Sequence, residues 1–230
     1  MGAAMLDYLQ GDTDAEVLVV SNITEDDIIP VNYLFRTLDE MPLLEQEALN
    51  ACRGKILDIG AGAGSHALVL QERGAAVTAL DLSEGAVAVM KSRGVEQVLN
   101  ADVFNLQQQD YDTLLLLMNG IGIAGTLNGL YRFLDHVKGL LNKDGQILLE
   151  SSDILYMYED EDGSVLLDLN AGYYGEVTYN MKYKEHESGT FKWLFIDAGL
   201  LEQYADEQGY ECEVLVEGDY GNYLARLTLR

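Results

Sequence analysis

The sequence predicts an α/β protein with an open, mostly parallel sheet and helices on both faces. From Gly54 onward, apolar strand-like runs alternate with helix-like runs, which is the pattern of a parallel sheet. A glycine-rich turn joins the first strand of this alternation to the first helix. Aspartates stand at or near the ends of the first three strands, at the edge where such sheets bind ligands.

The alternation can be followed element by element. Strands are predicted over residues 55–59, 76–80, 95–100, 113–118 and 146–150, and helices over residues 65–73, 83–91 and 127–141. Gly74 closes the first helix and Ser83 is the predicted N-cap of the second. The four leucines of the fourth strand predict burial on both faces of the sheet.

The chain outside this alternation has a different character. Residues 31–40 and 42–52 predict two short helices that break between Met41 and Pro42, because proline suits the first turn of a helix and not its interior. Beyond Ser152, residues 173–184 alternate like a hairpin or edge strand, residues 191–197 are strand-like, and residues 198–208 predict a helix. Residues 212–218 and 222–229 predict a closing antiparallel pair. We therefore divide the chain into an N-terminal helical cap, residues 1–50, and an α/β domain, residues 51–230.

Composition limits the classes of partner. The 14 Lys and Arg against 39 Asp and Glu give a formal net charge of −25, which would repel nucleic acid and anionic membranes. A small molecule or a basic partner fits better, although the charge also has a plain interpretation as a source of solubility. Cys52 and Cys212 are far apart and indicate reduced thiols in a cytoplasmic protein. The N-terminus has no signal-peptide pattern. His136 and His186 are isolated in the sequence, so no metal site is predicted. Nothing in the sequence indicates an oligomeric state.

The glycine turn predicts a ligand site. Gly60, Gly62 and Gly64 can adopt unusual backbone angles and carry no side chain that would block a ligand, and the following helix presents its free N–H groups. Such a turn alone is a weak signal. Asp58, Asp81 and Asp102 sharpen it, because carboxylates at successive strand ends can accept hydrogen bonds from a ribose and from an adenine amine, although each alone is a common turn residue or helix cap.

These motifs resemble the class I S-adenosylmethionine-dependent methyltransferases. This resemblance rests on LDIGAGAGSHAL, VTALDLS, LNADVFNL, YDTLLLLMNGIG and LLNKDGQILLESSD, and is strong over about residues 50–150. The entry segment with YLFR, EMP and LEQEAL and the later segments SSDI, YYGE and WLFID resemble in particular a bacterial group of small type-11/12-like methyltransferases. It implies a Rossmann-like seven-stranded sheet of order 3-2-1-4-5-7-6 with the last strand antiparallel, S-adenosyl-L-methionine as cofactor, and a methyltransferase domain over residues 51–230.

The resemblance also implies roles for individual residues. Gly60, Ala61 and Gly62 would approach the methionine part of the cofactor, with Asp58 organising the turn. Asp81 would bind the ribose diol, Leu82 would pack on the adenine, and Asp102 and Val103 would meet the adenine amine and ring. Asn119 would lie where the methyl group meets the substrate.

Residues for the chemistry itself are less marked, because the cofactor brings the activation and the protein mainly aligns the reactants. Asn119 is a candidate catalytic or cofactor-binding residue, which could hold a polar group of the substrate or the cofactor, or a turn residue in Asn-Gly. Asp153 is a candidate base or the cap of a following turn. Tyr156, Tyr173 and Tyr174 line a substrate pocket in one interpretation and belong to a hairpin face in the other.

The N-terminal segment also leaves alternatives open. Tyr33 and Arg36 either close over the cofactor, with Arg36 binding a carboxylate, or Arg36 forms a surface ion pair. Likewise, the segment is either a lid or a helix pair packed on the back of the sheet. The function that we predict is a cytoplasmic methyltransferase acting on a small molecule. The alternatives are an NAD-dependent oxidoreductase, for which a G-x-G-x-x-G turn would be expected, and a cofactor-binding protein without activity.

Overall fold

The computed structural model describes residues 1–107, 109–160, 162–167 and 172–230. Its strands are β1 (Glu16–Ser21), β2 (Asp27–Pro30), β3 (Lys55–Ile59), β4 (Ala76–Asp81), β5 (Val98–Asn100), β6 (Tyr111–Leu116), β7 (Leu141–Ser152), β8 (Glu176–Tyr183), β9 (His186–Leu194), β10 (Tyr210–Glu217) and β11 (Asn222–Leu229). Its α-helices are α1 (Gly2–Leu9), α2 (Leu43–Ala51), α3 (Ser65–Glu72), α4 (Glu84–Arg93), α5 (Leu127–Val137) and α6 (Ala198–Glu207).

The main sheet has seven strands in the order β10-β11-β7-β6-β3-β4-β5. Neighbours from β5 to β7 run parallel, and β11 runs antiparallel to both β7 and β10. Numbered from β3 onward within this sheet, the order is 3-2-1-4-5-7-6. The predicted fold class and topology are therefore confirmed.

Helices cover both faces of this sheet because its central strands are apolar on both sides. Along β7, Ile147 and Leu149 pack into the cluster around α5 and α6, whereas Leu148 packs into the cluster around α2, α3 and α4. Leu114 and Leu115 of β6 divide in the same way. The alternation follows from the two-residue period of a strand.

Several predicted boundaries differ from the structure. The strand predicted over residues 95–100 is only β5, because the chain leaves α4 through the left-handed Gly94 before it pairs. The helix predicted to residue 141 ends at Val137 and continues as a 3-10 turn, Lys138–Leu140. The strand β7 begins at Leu141, five residues before its predicted start. Tyr111 of β6 pairs with Leu141, and the register then shifts over the polar residues 142–145 before Thr113 pairs with Gln146.

A second sheet was not predicted. It has four antiparallel strands in the order β2-β1-β8-β9, and we call it the roof sheet. Within it β1 pairs with β8, so that Leu18 faces Lys182. Residues 1–50 are accordingly not only helical: residues 31–40 form the 3-10 turns Val31–Phe35 and Leu38–Glu40, whereas residues 42–52 contain the predicted helix as α2. The division of the chain at residue 50 stays a prediction.

The roof sheet lies against the carboxyl edge of the main sheet. The side-chain amide of Asn119, just beyond β6, donates a hydrogen bond to the carbonyl of Leu194 at the end of β9, at 3.1 Å. The indole of Trp193 fills the space where a side chain at Gly122 would lie. The roof sheet therefore packs on the main sheet just beyond β6, at the edge where the predicted site residues gather. No helix in the described ranges is long and apolar enough to cross a bilayer.

Candidate functional site

The glycine turn after β3 has space for a ligand at two of its three glycines. Gly60 and Gly62 have positive φ angles of 76° and 56°. A Cβ at Gly60 would meet nothing within 4 Å, and one at Gly62 would meet only the Gly60 carbonyl at 4.0 Å. Gly64 differs, because a Cβ there would lie 2.9 Å from side-chain atoms of Met90 and Val95. Gly60 and Gly62 thus leave an open cradle, whereas Gly64 permits the packing of α4.

Asp81 holds this turn from the neighbouring strand. Its carboxylate accepts hydrogen bonds from the backbone N–H of Gly62 at 2.9 Å and of Ser83 at 2.8 Å. Burial raises the pKa of Asp81, and these two hydrogen bonds oppose the shift. Beside it, the side chain of Leu82 is 71% exposed, and Asn100 donates to the carbonyls of both Asp81 and Leu82. A charged acceptor and a free apolar surface therefore lie side by side next to the cradle.

Asp58 is buried beneath the same turn, with 2% of its surface exposed. Its Oδ2 has no hydrogen-bond partner among the described residues. Burial raises the pKa of Asp58 to about 6, while His66 lowers it and Asp81 raises it further. A buried carboxyl oxygen without a partner costs free energy, so this atom is ready to accept a donor from a ligand or a water.

Asp102 and Val103 follow β5, at the outer end of this edge. Asp102 accepts a hydrogen bond from the N–H of Phe104 at 3.0 Å and so caps a short 3-10 turn. Val103 is buried, and its carbonyl bonds to the ring of His136 at 2.8 Å. The cap and the predicted adenine contact are compatible roles for Asp102.

The turn after β6 is strained. Met118 and Asn119 both have positive φ, 57° and 54°, which is uncommon for residues other than glycine. The half-buried carboxylate of Glu150, at the end of β7, accepts the N–H of Met118 at 2.8 Å, and burial raises the pKa of Glu150. The Oδ1 of Asn119 is buried and has no partner among the described residues. Two strained residues and a free amide oxygen at a strand end are features of a functional site.

A buried ion network joins the N-terminal segment to the first turn of α3. Glu45 of α2 is 2% exposed and accepts two hydrogen bonds from Arg36, at 2.7 and 3.0 Å. Its Oε2 also lies 2.6 Å from Nε2 of His66. Arg36 therefore does form an ion pair with an acid of the N-terminal segment, but the pair is buried and not at the surface. The guanidinium also lies 3.7 Å from the ring centroid of Tyr33.

Asp153 and the tyrosines form a group of their own beyond β7. Asp153 accepts from the N–H of Leu155 at 2.9 Å, as expected of a turn cap, and from the hydroxyl of Tyr174 at 2.7 Å. Tyr173 donates to Asp197 at 2.9 Å, and Tyr156 is 48% exposed in a 3-10 turn. These three tyrosines lie outside β8 and β9, so the hairpin-face interpretation does not describe them.

The structure thus brings Asp58, Gly60–Gly62, Asp81 and Asn119 to one edge, with Asp102 one strand further out. Sequence reasoning missed Glu45 and Glu150. An acid that ends an apolar strand, as Glu150 does, was a usable signal, whereas nothing local marked Glu45. Among the described residues no group of three or more His, Cys, Asp or Glu could hold a metal ion.

The architecture and the open glycine turn at the carboxyl edge are features of the α/β proteins that bind nucleotide-like cofactors. The profile of the family described as "Methyltransferase domain" matches residues 56–145. A crystal structure of an S-adenosylmethionine-dependent methyltransferase from Bacteroides fragilis, in complex with S-adenosyl-L-homocysteine, is 44% identical, with a TM-score of 0.92 over 99% of this chain and 93% of that chain. The chain belongs to the S-adenosylmethionine-dependent methyltransferases.

More distant structures share the fold alone. The CcbJ methyltransferase from Streptomyces caelestis is 14% identical, with a TM-score of 0.63 over 84% of this chain and 98% of that one. A methyltransferase from Clostridium acetobutylicum is 14% identical, with a TM-score of 0.57 over 83% and 93%. No curated protein matches the chain. The alternative of an NAD-dependent oxidoreductase is wrong, and the prediction of a methyltransferase with S-adenosylmethionine as its cofactor is confirmed.

Proposed function

We propose that the protein transfers the methyl group of S-adenosylmethionine to a small molecule in the cytoplasm. The observation that carries this proposal is the open cradle at Gly60 and Gly62 above the unpartnered Oδ2 of Asp58. The B. fragilis relative, crystallised with S-adenosyl-L-homocysteine, supports the same use of this turn here. The net charge of −25 supports a small acceptor over nucleic acid.

The cofactor would lie along the carboxyl edge of the main sheet. Gly60, Ala61 and Gly62 hold its methionine part, and Asp58 organises the turn. Further along the edge lie the residues for the adenosine part: Asp81 for the ribose diol, Leu82 for the adenine face, and Asp102 and Val103 for the adenine amine and ring. The exposed side chain of Leu82 supports this assignment, because its apolar surface is available for a ring.

The chemistry needs little from the protein beyond alignment. When bound, the cofactor supplies a methyl group on a positively charged sulfur, and the chain positions the acceptor in line with it. Asn119 has one side-chain atom fixed by Leu194 and one oxygen free, so it can accept a hydrogen bond from the acceptor. Asp153 stays the candidate base.

The segment from Tyr33 to Glu40 acts as a lid in this proposal. Ser65, the residue after the glycine turn, donates to the carbonyl of Leu34 at 2.8 Å, and Arg36 reaches His66 through Glu45. These contacts favour a lid at the glycine turn and argue against a helix pair packed on the back of the sheet. Hydrogen exchange with and without S-adenosylhomocysteine tests it: amides of residues 33–40 should gain protection on binding. Equal protection in both states would reject the lid.

The proposed function is tested by calorimetry and turnover. S-adenosylhomocysteine should bind the purified protein with one site, and NAD at the same concentration should not. Release of S-adenosylhomocysteine on incubation with S-adenosylmethionine and a pool of small metabolites would then demonstrate transfer. Binding without any transfer over a broad pool would favour a cofactor-binding protein without activity.

A further inference from the structure

Aromatic side chains are concentrated where the end of β7 meets the roof sheet. We define the aromatic wall as Tyr158, Tyr173, Tyr174, Tyr179 and Phe195; the ring of Tyr156 packs instead against Tyr220, at 6.4 Å. Tyr174 packs on Tyr173, with ring centroids 4.5 Å apart, and edge-on against Tyr158 at 6.0 Å. Tyr179 of β8 packs edge-on against Phe195 at 6.3 Å.

The aromatic wall continues directly from the reacting edge of the main sheet. Asn119 is bonded to the carbonyl of Leu194, and the next residue, Phe195, donates its N–H to the carbonyl of Gly175 at 2.8 Å. Gly175 follows Tyr174, whose hydroxyl donates a hydrogen bond to Asp153, the residue after β7. An acceptor placed against the wall therefore lies next to the residues proposed for methyl transfer.

The charges around the aromatic wall are negative. Both hydrogen bonds to Asp153 fall on Oδ1, which leaves Oδ2 for a ligand within the described part of the chain. Asp197 accepts the hydroxyl of Tyr173. Two cations of the surrounding elements are already paired, Arg36 with Glu45 and Lys192 with Glu176. Ring faces and carboxylates together attract a cation and repel an anion.

We propose that the acceptor is a small amine, which enters as an ammonium ion and is held by the aromatic wall and Asp153. This inference rests on the proposed function and names the substrate class of the same site. A neutral alcohol of equal size would lose the attraction between the charge and the rings, and a carboxylate would be repelled.

The transfer balances without any further reactant. The ammonium group loses one proton to Asp153 or to water, which frees the nitrogen lone pair. The nitrogen then forms a bond to the methyl carbon as the carbon–sulfur bond breaks, and the sulfur keeps that electron pair. The product is a methylated ammonium ion with S-adenosylhomocysteine.

Binding of a simple cation tests the wall independently of turnover. Tetramethylammonium chloride is titrated into the protein saturated with S-adenosylhomocysteine, with sodium chloride and tert-butanol as controls for ionic strength and size. We expect saturable quenching of aromatic fluorescence by tetramethylammonium alone. Tyr158→Ala and Tyr179→Ala should each weaken it at least about threefold, the scale of one lost cation–π contact. Tyr158 lies in the 3-10 turn Leu155–Tyr158 and is not part of the buried core, so its replacement is safe for folding.

Tyr131→Ala is the matched control, because Tyr131 of α5 is 46% exposed and lies outside the wall. It should leave the affinity for tetramethylammonium unchanged. The proposal is overturned if tetramethylammonium does not bind, if tert-butanol binds equally well, or if the two wall variants behave like Tyr131→Ala.

Turnover separates this inference from the proposed function. Pools of small amines, alcohols and carboxylic acids are compared by the S-adenosylhomocysteine that each produces. Methylation confined to the amine pool supports the inference. Methylation confined to the alcohols or acids overturns it but leaves the proposed function intact, and failure of S-adenosylhomocysteine itself to bind rejects the proposed function.

Discussion

Replacing Gly62 by alanine tests the open cradle most directly. The residue has a φ of 56°, and a left-handed conformation costs a residue with a Cβ about 1–2 kcal/mol. For a chain of this size that cost lowers the Tm by a few degrees. The added methyl group would also occupy space that the cofactor must enter. If this resembles overpacking, at about 1–3 kcal/mol, the affinity for S-adenosylhomocysteine falls between about fivefold and 150-fold.

Gly74 provides the matched control. It also has a positive φ, 80°, and a Cβ there would meet nothing within 4 Å, but it lies at the far end of α3. Gly74→Ala should therefore lower the Tm by a similar amount and leave the affinity unchanged. Both variants are compared by thermal unfolding without ligand and by calorimetry with S-adenosylhomocysteine.

Two results would refute the reasoning. If Gly62→Ala binds S-adenosylhomocysteine as tightly as the parent, the ligand does not enter the cradle. If Gly74→Ala loses affinity equally, the loss in Gly62→Ala reflects general destabilisation. Gly64→Ala should differ from both, with a larger fall in Tm, because its Cβ would press on Met90 and Val95 at 2.9 Å.

Three further predictions concern carboxylates. Asp81→Ala should weaken S-adenosylhomocysteine binding at least about tenfold by calorimetry, since hydrogen bonds to a charged group are worth about 1.5–3 kcal/mol each. Asp112→Ala is the control, because it removes a carboxylate that binds backbone at the opposite edge of the sheet, and it should leave the affinity unchanged. An equal loss of affinity in both variants would contradict the assignment of Asp81 to the ribose. In the folded protein the pKa of Asp58 is about 6, above its ordinary 3.8, because burial favours the neutral carboxyl. The stability that this group contributes is therefore fully present below about pH 4, where the carboxyl is protonated, and is lost as the pH rises through 6. Asp58→Asn should therefore raise the free energy of unfolding of the ligand-free protein at pH 7 by up to about 3 kcal/mol and change it little at pH 4, as measured by urea titration. An identical difference between the variant and the parent at both pH values would be inconsistent with a buried carboxylate at this position. Glu150→Ala should lower the free energy of unfolding by about 1–3 kcal/mol, because the N–H of Met118 loses its acceptor. Glu150→Gln should recover most of that free energy, because its amide oxygen can accept the same hydrogen bond. An equal loss in both variants would mean that the hydrogen bond from Met118 contributes nothing to stability.

The main sheet could be predicted because its information is local. The two-residue alternation and the four leucines of β6 mark the strands, and the carboxyl ends of parallel strands share one edge, so Asp58, Asp81 and Asn119 had to meet there. The prediction of strand bounds failed where the sequence is polar. The strand β7 starts at Leu141 and so includes Asn142, Lys143 and Asp144, which do not follow the pattern of a strand.

The roof sheet and the buried ion network could not be predicted in this way. Asn22 bonds to the N–H of Thr178, 156 positions later, and no local pattern specifies so distant a partner. Glu45 resembles its many acidic neighbours in the sequence, and only folding places Arg36 and His66 on either side of it. Residues of this kind are set by tertiary contacts among three separate segments.

The pairing of β1 with β8 also has a consequence for the order in which the protein can be completed. During synthesis the first 30 residues leave the ribosome long before β8 exists, so the β1–β2 hairpin has no strand to join until most of the chain has been made. Pairings between distant parts of a chain form slowly, and unpaired strands are prone to aggregate while they wait. The roof sheet is therefore completed late, after all the parallel strands of the main sheet have been made. A nascent chain stalled before β8 would carry the glycine turn but only the β1–β2 half of the roof sheet.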